Sequence, residues 1–366
     1  MEYTKKRRGI TIREVAARAG VSPMSVSNFI NGRTNLMRVE TRSRIEQAIA
    51  ATGYQPNKQA RAFRQGKDYS VGMIVVDPSP NFLLEPFIGH VVTGLSMELA
   101  LEGYACLLQR MEDYDDERAL ANFARSDALC IFASGPTHKR DRFFEKLSSI
   151  GIPLALIEED QRHPESDTAL IRQDDVLGGT LLMEHLLALG ARNFLYVRHA
   201  TTWSLNSARE AGFRAGLKEA GGWLRFETLT CGFGNFDEVR QRLNEWLDAG
   251  GSCDAILANN DHVGVAVLNT LSERNIRVPQ DIKVTGFGGF ELWKHIGPQL
   301  TTIVSPAQQL GRCAARVLLN RLAEGSFRQP EWVLPVSLKI GETTVPAIVS
   351  PKGDRPENNI PSMSET

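Results

Sequence analysis

No stretch of 18 apolar residues occurs in this 366-residue chain, so nothing in it reads as a membrane span, and the charged start lacks the apolar core of a secretory signal. Cysteine is scarce: Cys106, Cys130, Cys231, Cys253 and Cys313 are scattered without a CxxC pair, which reads as reduced, buried thiols in a cytoplasmic protein. The seven histidines show no metal-ligand spacing such as i, i+4. Also missing are a GxGxxG opening a helix, GxxxxGK[ST], HExxH and GxSxG. The glycine-rich Gly286-Phe287-Gly288-Gly289 follows a strand pattern with no lysine-bearing phosphate motif, and reads as a tight turn. The expectation is therefore a protein that is not an enzyme, with no metal and no cofactor.

Net charge is also nearly absent, at −1, but its distribution is uneven. Residues 1–66 hold 13 Lys/Arg against four acids, whereas the other 300 residues hold 29 against 39. A basic head on an acidic body implies that only the head approaches a polyanion. In that head, Thr11-Ile12-Arg13-Glu14 forms a capping box ahead of Ile12, Val15, Ala16 and Ala19, which repeat as one helical face ended by Gly20. Ser22-Pro23 restarts a helix two residues later, with Val26, Phe29 and Ile30 inward, and Asn31-Gly32 ends it. A third amphipathic helix is expected over about 40–52, stopped by Gly53. Two short helices joined by Ala-Gly-Val-Ser and braced by a third describe a helix-turn-helix. A three-helix bundle without DNA contact has the same spacing; the charge favours DNA.

These residues carry a family resemblance. The run from Thr11 to Ser22, then Ser25-Val26-Ser27, Asn31, Thr41-Arg42, Ile45, Gly53-Tyr54 and Pro56-Asn57, resembles the lactose-repressor/galactose-repressor (LacI/GalR) family of bacterial regulators, and the likeness extends more loosely to about Thr344. The resemblance implies that the second helix lies in the major groove, presenting Pro23, Met24 and Asn28 where family members vary to choose their operators. It implies that Thr11, Ser22, Ser25, Ser27, Asn31 and Tyr54 mostly hold phosphates. Asn28 can pair with adenine, while Pro23 and Met24 suit apolar contact with thymine methyls. Residues 57–66 are too short for a helix stable alone in water. In the family such a segment folds on DNA and wedges the minor groove, which implies contacts from Asn57, Arg61, Phe63 and Arg64. Phe63 stands where leucine is usual, and packing within the linker is its alternative role.

Beyond the head, strand patterns over 71–76, 105–108, 128–133, 154–157, 194–197, 227–230, 255–258 and 283–287 alternate with helical ones over 86–102, 117–124, 141–150, 175–189, 208–220, 236–249, 262–274 and 306–323. Such alternation predicts doubly wound parallel sheets in two lobes. The fold class is thus multidomain: an all-α helix-turn-helix head plus an α/β body, which resembles the two-lobed periplasmic-binding-protein fold that the family shares. The expected boundaries are 1–56 for the head, 57–68 for the hinge, 69–350 for the body and 351–366 for a disordered tail. Within the body, lobe 1 is expected over about 69–170 plus 297–328 and lobe 2 over about 171–296 plus 329–350.

Ligands of such bodies bind between the lobes, at the carboxyl ends of the strands. The resemblance implies an effector held by Asp261, Arg209 and Phe87, with Trp203 and Phe233 in nearby strand-end loops. Their alternative roles are a helix N-cap, a surface ion pair and a core ring, respectively, for the first three. The chain departs from the family at Gly288-Gly289, where an acidic pair is frequent, at Gly341, where an arginine is frequent, and in the extra stretch 79–84. The reading that results is a regulator, expected to repress, that binds a pseudo-palindromic double-stranded DNA operator as a homodimer and responds to a small molecule, a sugar or sugar derivative. A ligand-independent repressor with a vestigial pocket is the alternative.

Overall fold

The computed structural model describes residues 10–30, 32–35, 37–54, 68–77, 79–116, 126–133, 137–148, 150–160, 167–200, 204–221, 223–232, 235–291, 295 and 297–345. The expected helix over 117–124, the hinge residues Asn57, Arg61, Phe63 and Arg64, Asn31, Trp203, Phe233 and the tail lie outside them. The chain divides into two compact units, meeting at Tyr69–Ser70.

In the first unit, α1 (Ile12–Ala19), α2 (Pro23–Ile30) and α3 (Val39–Thr52) follow in order. The capping box forms: the Glu14 N–H donates to Thr11 Oγ1 at 3.4 Å and the Thr11 N–H to Glu14 Oε2 at 2.6 Å. Gly20, at φ 63°, ends α1, and the Val21 N–H closes on Ala16 O at 3.0 Å. Ser22 Oγ accepts from the Ser25 N–H at 3.1 Å, as expected of a residue preceding α2. Val15, Ala16, Ala19, Val26, Ile45 and Ala48 make the core, and Ile12, Phe29, Ile30 and Tyr54 pack around it.

The second unit carries two six-stranded sheets. Its strands are β1 (Ser70–Val76), β2 (Ala105–Met111), β3 (Ala128–Ala133), β4 (Leu154–Ile157), β5 (Thr168–Gln173), β6 (Asn193–His199), β7 (Arg225–Cys231), β8 (Ala255–Ala258), β9 (Lys283–Gly288), β10 (Thr301–Val304), β11 (Glu331–Leu334) and β12 (Ser337–Lys339). The first sheet runs β11-β5-β4-β3-β1-β2 and the second β12-β10-β9-β8-β6-β7. Pairing is parallel except between β10 and β12. Helices α4 (Pro86–Leu101), α5 (Thr137–Ser148), α6 (Asp175–Ala188), α7 (Ser204–Ala220), α8 (Phe236–Asp248), α9 (Asp261–Glu273) and α10 (Ala307–Glu324) link the strands.

The crossings between lobes fall later than the sequence suggested. β5 reaches Gln173 within the first sheet, Thr301–Val304 belongs to the second rather than the first, and Glu331–Leu334 returns to the first rather than the second. These strands were missed because they are short or polar at their ends; pairing with a neighbour, not local pattern, makes them strands. The helix at Ala307–Glu324 does return to lobe 1, packing on α4.

Glycines set how closely the paired helices approach. A Cβ on Gly212 of α7 would lie 2.2 Å from Val176 O and 2.8 Å from Thr180 N of α6, and one on Gly179 would lie 2.3 Å from Arg209 O. In lobe 1, Gly94 and Gly311 do the same for α4 and α10. Because backbone cannot yield as a side-chain tip can, Gly212→Ala is expected to destabilise the body by about 1–3 kcal/mol, the usual cost of overpacking. Chemical denaturation monitored by tryptophan fluorescence measures it, with Gly190→Ala, where a Cβ meets nothing within 4 Å but φ is 84°, separating packing from backbone strain.

Candidate functional site

The head presents the first turn of α2. Ser22, Pro23 and Met24 are exposed, Met24 to 68%, while Ser25, Ser27 and Asn28 are half-buried. Thr11 is occupied in its cap, its hydroxyl donating to Glu14 Oε2 at 2.9 Å, and Tyr54 packs on the head core. Buried Val26 on the opposite face fixes the rotation of α2, so the exposed turn is held out by the core.

In the body, the cleft is built from carboxyl ends of strands. Arg209, in the second turn of α7, is only 6% exposed. Its Nε donates to Asp175 Oδ1 at 2.8 Å, its Nη1 donates to the Asn259 carbonyl at 2.6 Å, and its guanidinium lies 3.8 Å over the Phe287 ring. The surface ion pair weighed for Arg209 is thus a buried one. Asp175 also accepts from Gln173 Nε2 at 3.2 Å, and Glu158 accepts from the Gln173 N–H at 3.0 Å. Ser305 Oγ donates to Gln173 Oε1 at 2.7 Å, so two of the crossings between lobes are tied at Gln173.

Asp261 is not the N-cap of α9; Asn260 is, its side chain accepting from the Val263 N–H at 2.9 Å. Asp261, 2% exposed, turns instead to its own lobe, accepting from Thr302 Oγ1 at 2.5 Å and the Gly289 N–H at 2.6 Å. Burial raises its carboxyl to about 6, against the pull of those hydrogen bonds and of Arg209. The glycines around it explain the departures seen in the sequence. Gly286 and Gly288 belong to β9, and the turn comes at Gly288 and Gly289, with φ of 143° and 67°. A Cβ on Gly289 would lie 2.9 Å from Val304 Cα, so the acidic pair has no room there. At Gly341 a Cβ would lie 2.3 Å from Gln299 O, which excludes an arginine.

From lobe 1, Phe87 in the first turn of α4 is half-buried, its ring centroid 5.7 Å from that of Phe132. Glu85 precedes it, after the extra stretch, which forms a 3-10 turn over Phe82–Leu84. Burial lifts Glu85 to about 7, and the charges of Asp77 and Asp261 add to the rise. Asp261 and Arg209 of lobe 2 are near enough to Glu85 of lobe 1 for their charges to act on its carboxyl. Phe290, just beyond the glycine turn, packs with the lobe 1 core, its ring centroid 4.9 Å from that of His90. The recess beside Asp261, lined by Gly289, Phe290, Gln299, Leu300, Thr302 and Lys339, has a volume of about 10 Å³, room for a single water.

Sequence reasoning missed Glu85, Glu158, Gln173 and Asp175. Recognising β5 would have marked Gln173 and Asp175 as strand-end residues. Glu158 carries its own signal only in the structure, a φ of 58°.

A basic helix-turn-helix unit followed by a two-lobed body with its polar residues between the lobes defines a ligand-responsive type of DNA-binding regulator. Comparison with known proteins agrees. Residues 11–57 match the model for bacterial regulatory proteins of the lacI family, and residues 183–344 match that for a periplasmic binding protein-like domain. The ribose operon repressor of Escherichia coli (strain K12) is 28% identical over 344 residues, 90% of this chain and 99% of its own. A structure of the transcriptional regulator CelR in complex with cellobiose is 25% identical, with a TM-score of 0.68 over 91% of this chain and 99% of that one. The lac repressor dimer bound to operator and the anti-inducer ONPF has the same fold, at 22% identity and a TM-score of 0.76, over 92% and 99%. Residues 11–57 thus carry a head of the lacI-family type on a periplasmic-binding-protein-like body, and the chain is a transcriptional regulator. Its relatives are named as regulators, not enzymes, and among the described residues no helix is long and apolar enough to cross a membrane.

The raised cleft carboxyls have a consequence for stability. The fold prefers Glu85 protonated, so its contribution is fully present below about pH 4.5 and is lost as pH rises through about 7. Asp261 acts with the same sign up to about 6. Between pH 5 and 7.5 the denaturation midpoint of the body is expected to fall, and Glu85→Gln to flatten that fall. A variant as steep as the parent would remove Glu85 from the account.

Proposed function

We propose that the protein is a repressor acting in the cytoplasm, binding a pseudo-palindromic operator as a homodimer and governed by a sugar-class effector between the lobes. The observation that carries this reading is the buried Arg209, held by Asp175 and Asn259 beside the crossings at Gln173 and Ser305. A ligand there bears on both lobes at once, and a differential contact of that kind is what shifts a two-state equilibrium. The named relatives support the ligand class: one governs a ribose operon and another was solved with cellobiose.

On the DNA side, the exposed Pro23 and Met24 read bases together with Asn28, while Thr11, Ser22, Ser25, Ser27, Asn31 and Tyr54 fix register on phosphates. Asn57, Arg61, Phe63 and Arg64 enter the minor groove as the hinge segment orders. Two heads are required because one short helix-turn-helix buries too little surface for high specific affinity. Phe87, Arg209 and Asp261 remain the effector-side residues, Asp261 acting by holding the glycine turn that carries Phe290.

Duplex selection with the full chain, followed by binding at several salt concentrations, tests the head. A preferred pseudo-palindrome is expected, with affinity falling when thymine is replaced by uracil opposite Met24. The fragment ending at Gly66 is expected to bind weakly and with strong salt dependence. No preference for any duplex over random competitor would end this reading.

One observation favours a ligand-independent repressor: Phe290 bridges from lobe 2 to the lobe 1 core beside a recess the size of a water. Thermal-shift titration with ribose, glucose, galactose and cellobiose separates the two. An effector raises the melting temperature with concentration and changes operator affinity; a vestigial cleft does neither.

A further inference from the structure

At the end of β9, two residues without side chains precede an aromatic one: Gly288, Gly289 and Phe290. Both glycines stand at positive φ, 143° and 67°, where a side chain would be strained. A Cβ on Gly288 would lie 2.9 Å from the Phe290 ring, and Asp261 takes the Gly289 N–H at 2.6 Å. The turn so made carries Phe290 out of its own lobe. Phe290 is 9% exposed and belongs to the hydrophobic core of lobe 1, whose other described members all come from lobe 1 itself. Its ring centroid stands 4.9 Å from that of His90 in α4, and Phe87 packs on the same core.

The same turn closes Asp261 off. Thr302 Oγ1 donates to its Oδ1 at 2.5 Å and the Gly289 N–H to its Oδ2 at 2.6 Å, so each carboxyl oxygen has a donor from within lobe 2. The recess beside it has a volume of about 10 Å³, whereas pockets that bury a small molecule run from about 300 Å³ upward. A ligand that reaches Asp261 must therefore move something first. Thr302 is held in β10, which pairs with β9 and β12, and Lys339 is held in β12. Gly289 and Phe290 lie past the end of β9, and glycine absorbs the change of φ and ψ that a hinge requires. The turn is the part that can yield.

We propose that the Gly288–Phe290 turn is a built-in latch: Phe290 holds the two lobes together from within the lobe 1 core, and an effector enters only by displacing the turn, its own donor replacing the Gly289 N–H on Asp261. The displacement rests on the effector reading of the cleft; the latch does not. A site that must first open binds with an affinity reduced by the fraction of molecules that are open. Phe290 thus weakens the effector by the same interaction that stabilises the latched arrangement, and burial of one phenyl ring is enough to make that fraction small.

Hydrogen exchange on the full chain tests the latch. The amides of Gln173, Asp174 and Ser305 lie at the crossings between lobes, bonded to Glu158 Oε1, Leu334 O and Gly288 O. In Phe290→Ala their protection is expected to fall by at least about tenfold, the scale of one buried ring, while β6 and β8 inside lobe 2 keep theirs. Phe290→Leu keeps an apolar anchor and is expected to recover most of the loss. Unchanged protection at the crossings in Phe290→Ala overturns the latch. So does a fall shared equally by the crossings, β6 and β8, because Phe290 then only supports the fold as a whole. Isothermal titration of the parent and both variants with ribose, glucose, galactose and cellobiose tests the displacement. At least one sugar is expected to bind Phe290→Ala about tenfold more tightly than the parent, with Phe290→Leu between them. A sugar that binds Phe290→Ala no more tightly than the parent overturns the displacement. If no sugar binds any of the three proteins, the effector reading fails and the displacement with it, while the exchange result still decides the latch.

Discussion

The body is organised around one buried guanidinium. Arg209 is withdrawn from water at the end of a long side chain, and a charge in that position is tolerated only if it is paired and hydrogen-bonded. Asp175, Asn259 O and the Phe287 face meet that requirement from three elements, namely α6, the turn after β8, and β9. Each is fixed by something else. Asp175 follows the crossing at Gln173, Asn259 also receives the Tyr196 hydroxyl at 2.8 Å, and Phe287 packs in the lobe 2 core. Removing either charge of the Arg209–Asp175 pair would leave its partner buried alone, at a cost of about 3–5 kcal/mol. The pair is therefore a poor place for sequence change and a good place from which to sense it.

The helix carrying Arg209 is set by contacts without side chains. α7 approaches α6 through Gly212 and Gly179, with Thr180 Oγ1 donating to Gly212 O at 3.4 Å. Were either glycine larger, α7 would move outward and Arg209 would lose its two acceptors together. Asp261 works similarly on the other side. Gly286, Gly288 and Gly289 pass close enough to it that its carboxylate can hold the turn, and the turn delivers Phe290 to lobe 1. The absence of the family's acidic pair at Gly288-Gly289 is thus a consequence of backbone geometry, and so is the absence of arginine at Gly341.

Most of the fold could be read from sequence, because its elements announce themselves locally. The capping box at Thr11, the stop at Gly20 and the alternation of strand and helix patterns are properties of neighbouring residues. β5, β10, β11 and β12 could not be read in this way, since Thr168–Gln173 and Ser337–Lys339 are strands only by virtue of what they pair with. The boundaries of the lobes were misplaced for that reason. The site was half legible. Arg209 and Asp261 stand in recognisable runs, but their partners do not, and it is the partners that decide their chemistry. Asp261 accepts within its own lobe, and Arg209 is neutralised by a residue of the unrecognised crossing.

That crossing is also why a cleft ligand has something to act on. Two of the links between lobes meet at Gln173, whose amide donates to Asp175 and accepts from Ser305, while its N–H binds Glu158 of lobe 1. The third runs beside it, with the Asp174 N–H on Leu334 O at 3.0 Å. A rotation of one lobe against the other must change the backbone at these residues, and so the geometry of Asp175, and so the grip on Arg209. The dependence runs in both directions, because a coupling free energy has no preferred direction. Whatever fixes Arg209 more firmly, in either of two lobe arrangements, biases the hinge towards that arrangement by the difference alone; tight binding that is equal in both would bias nothing.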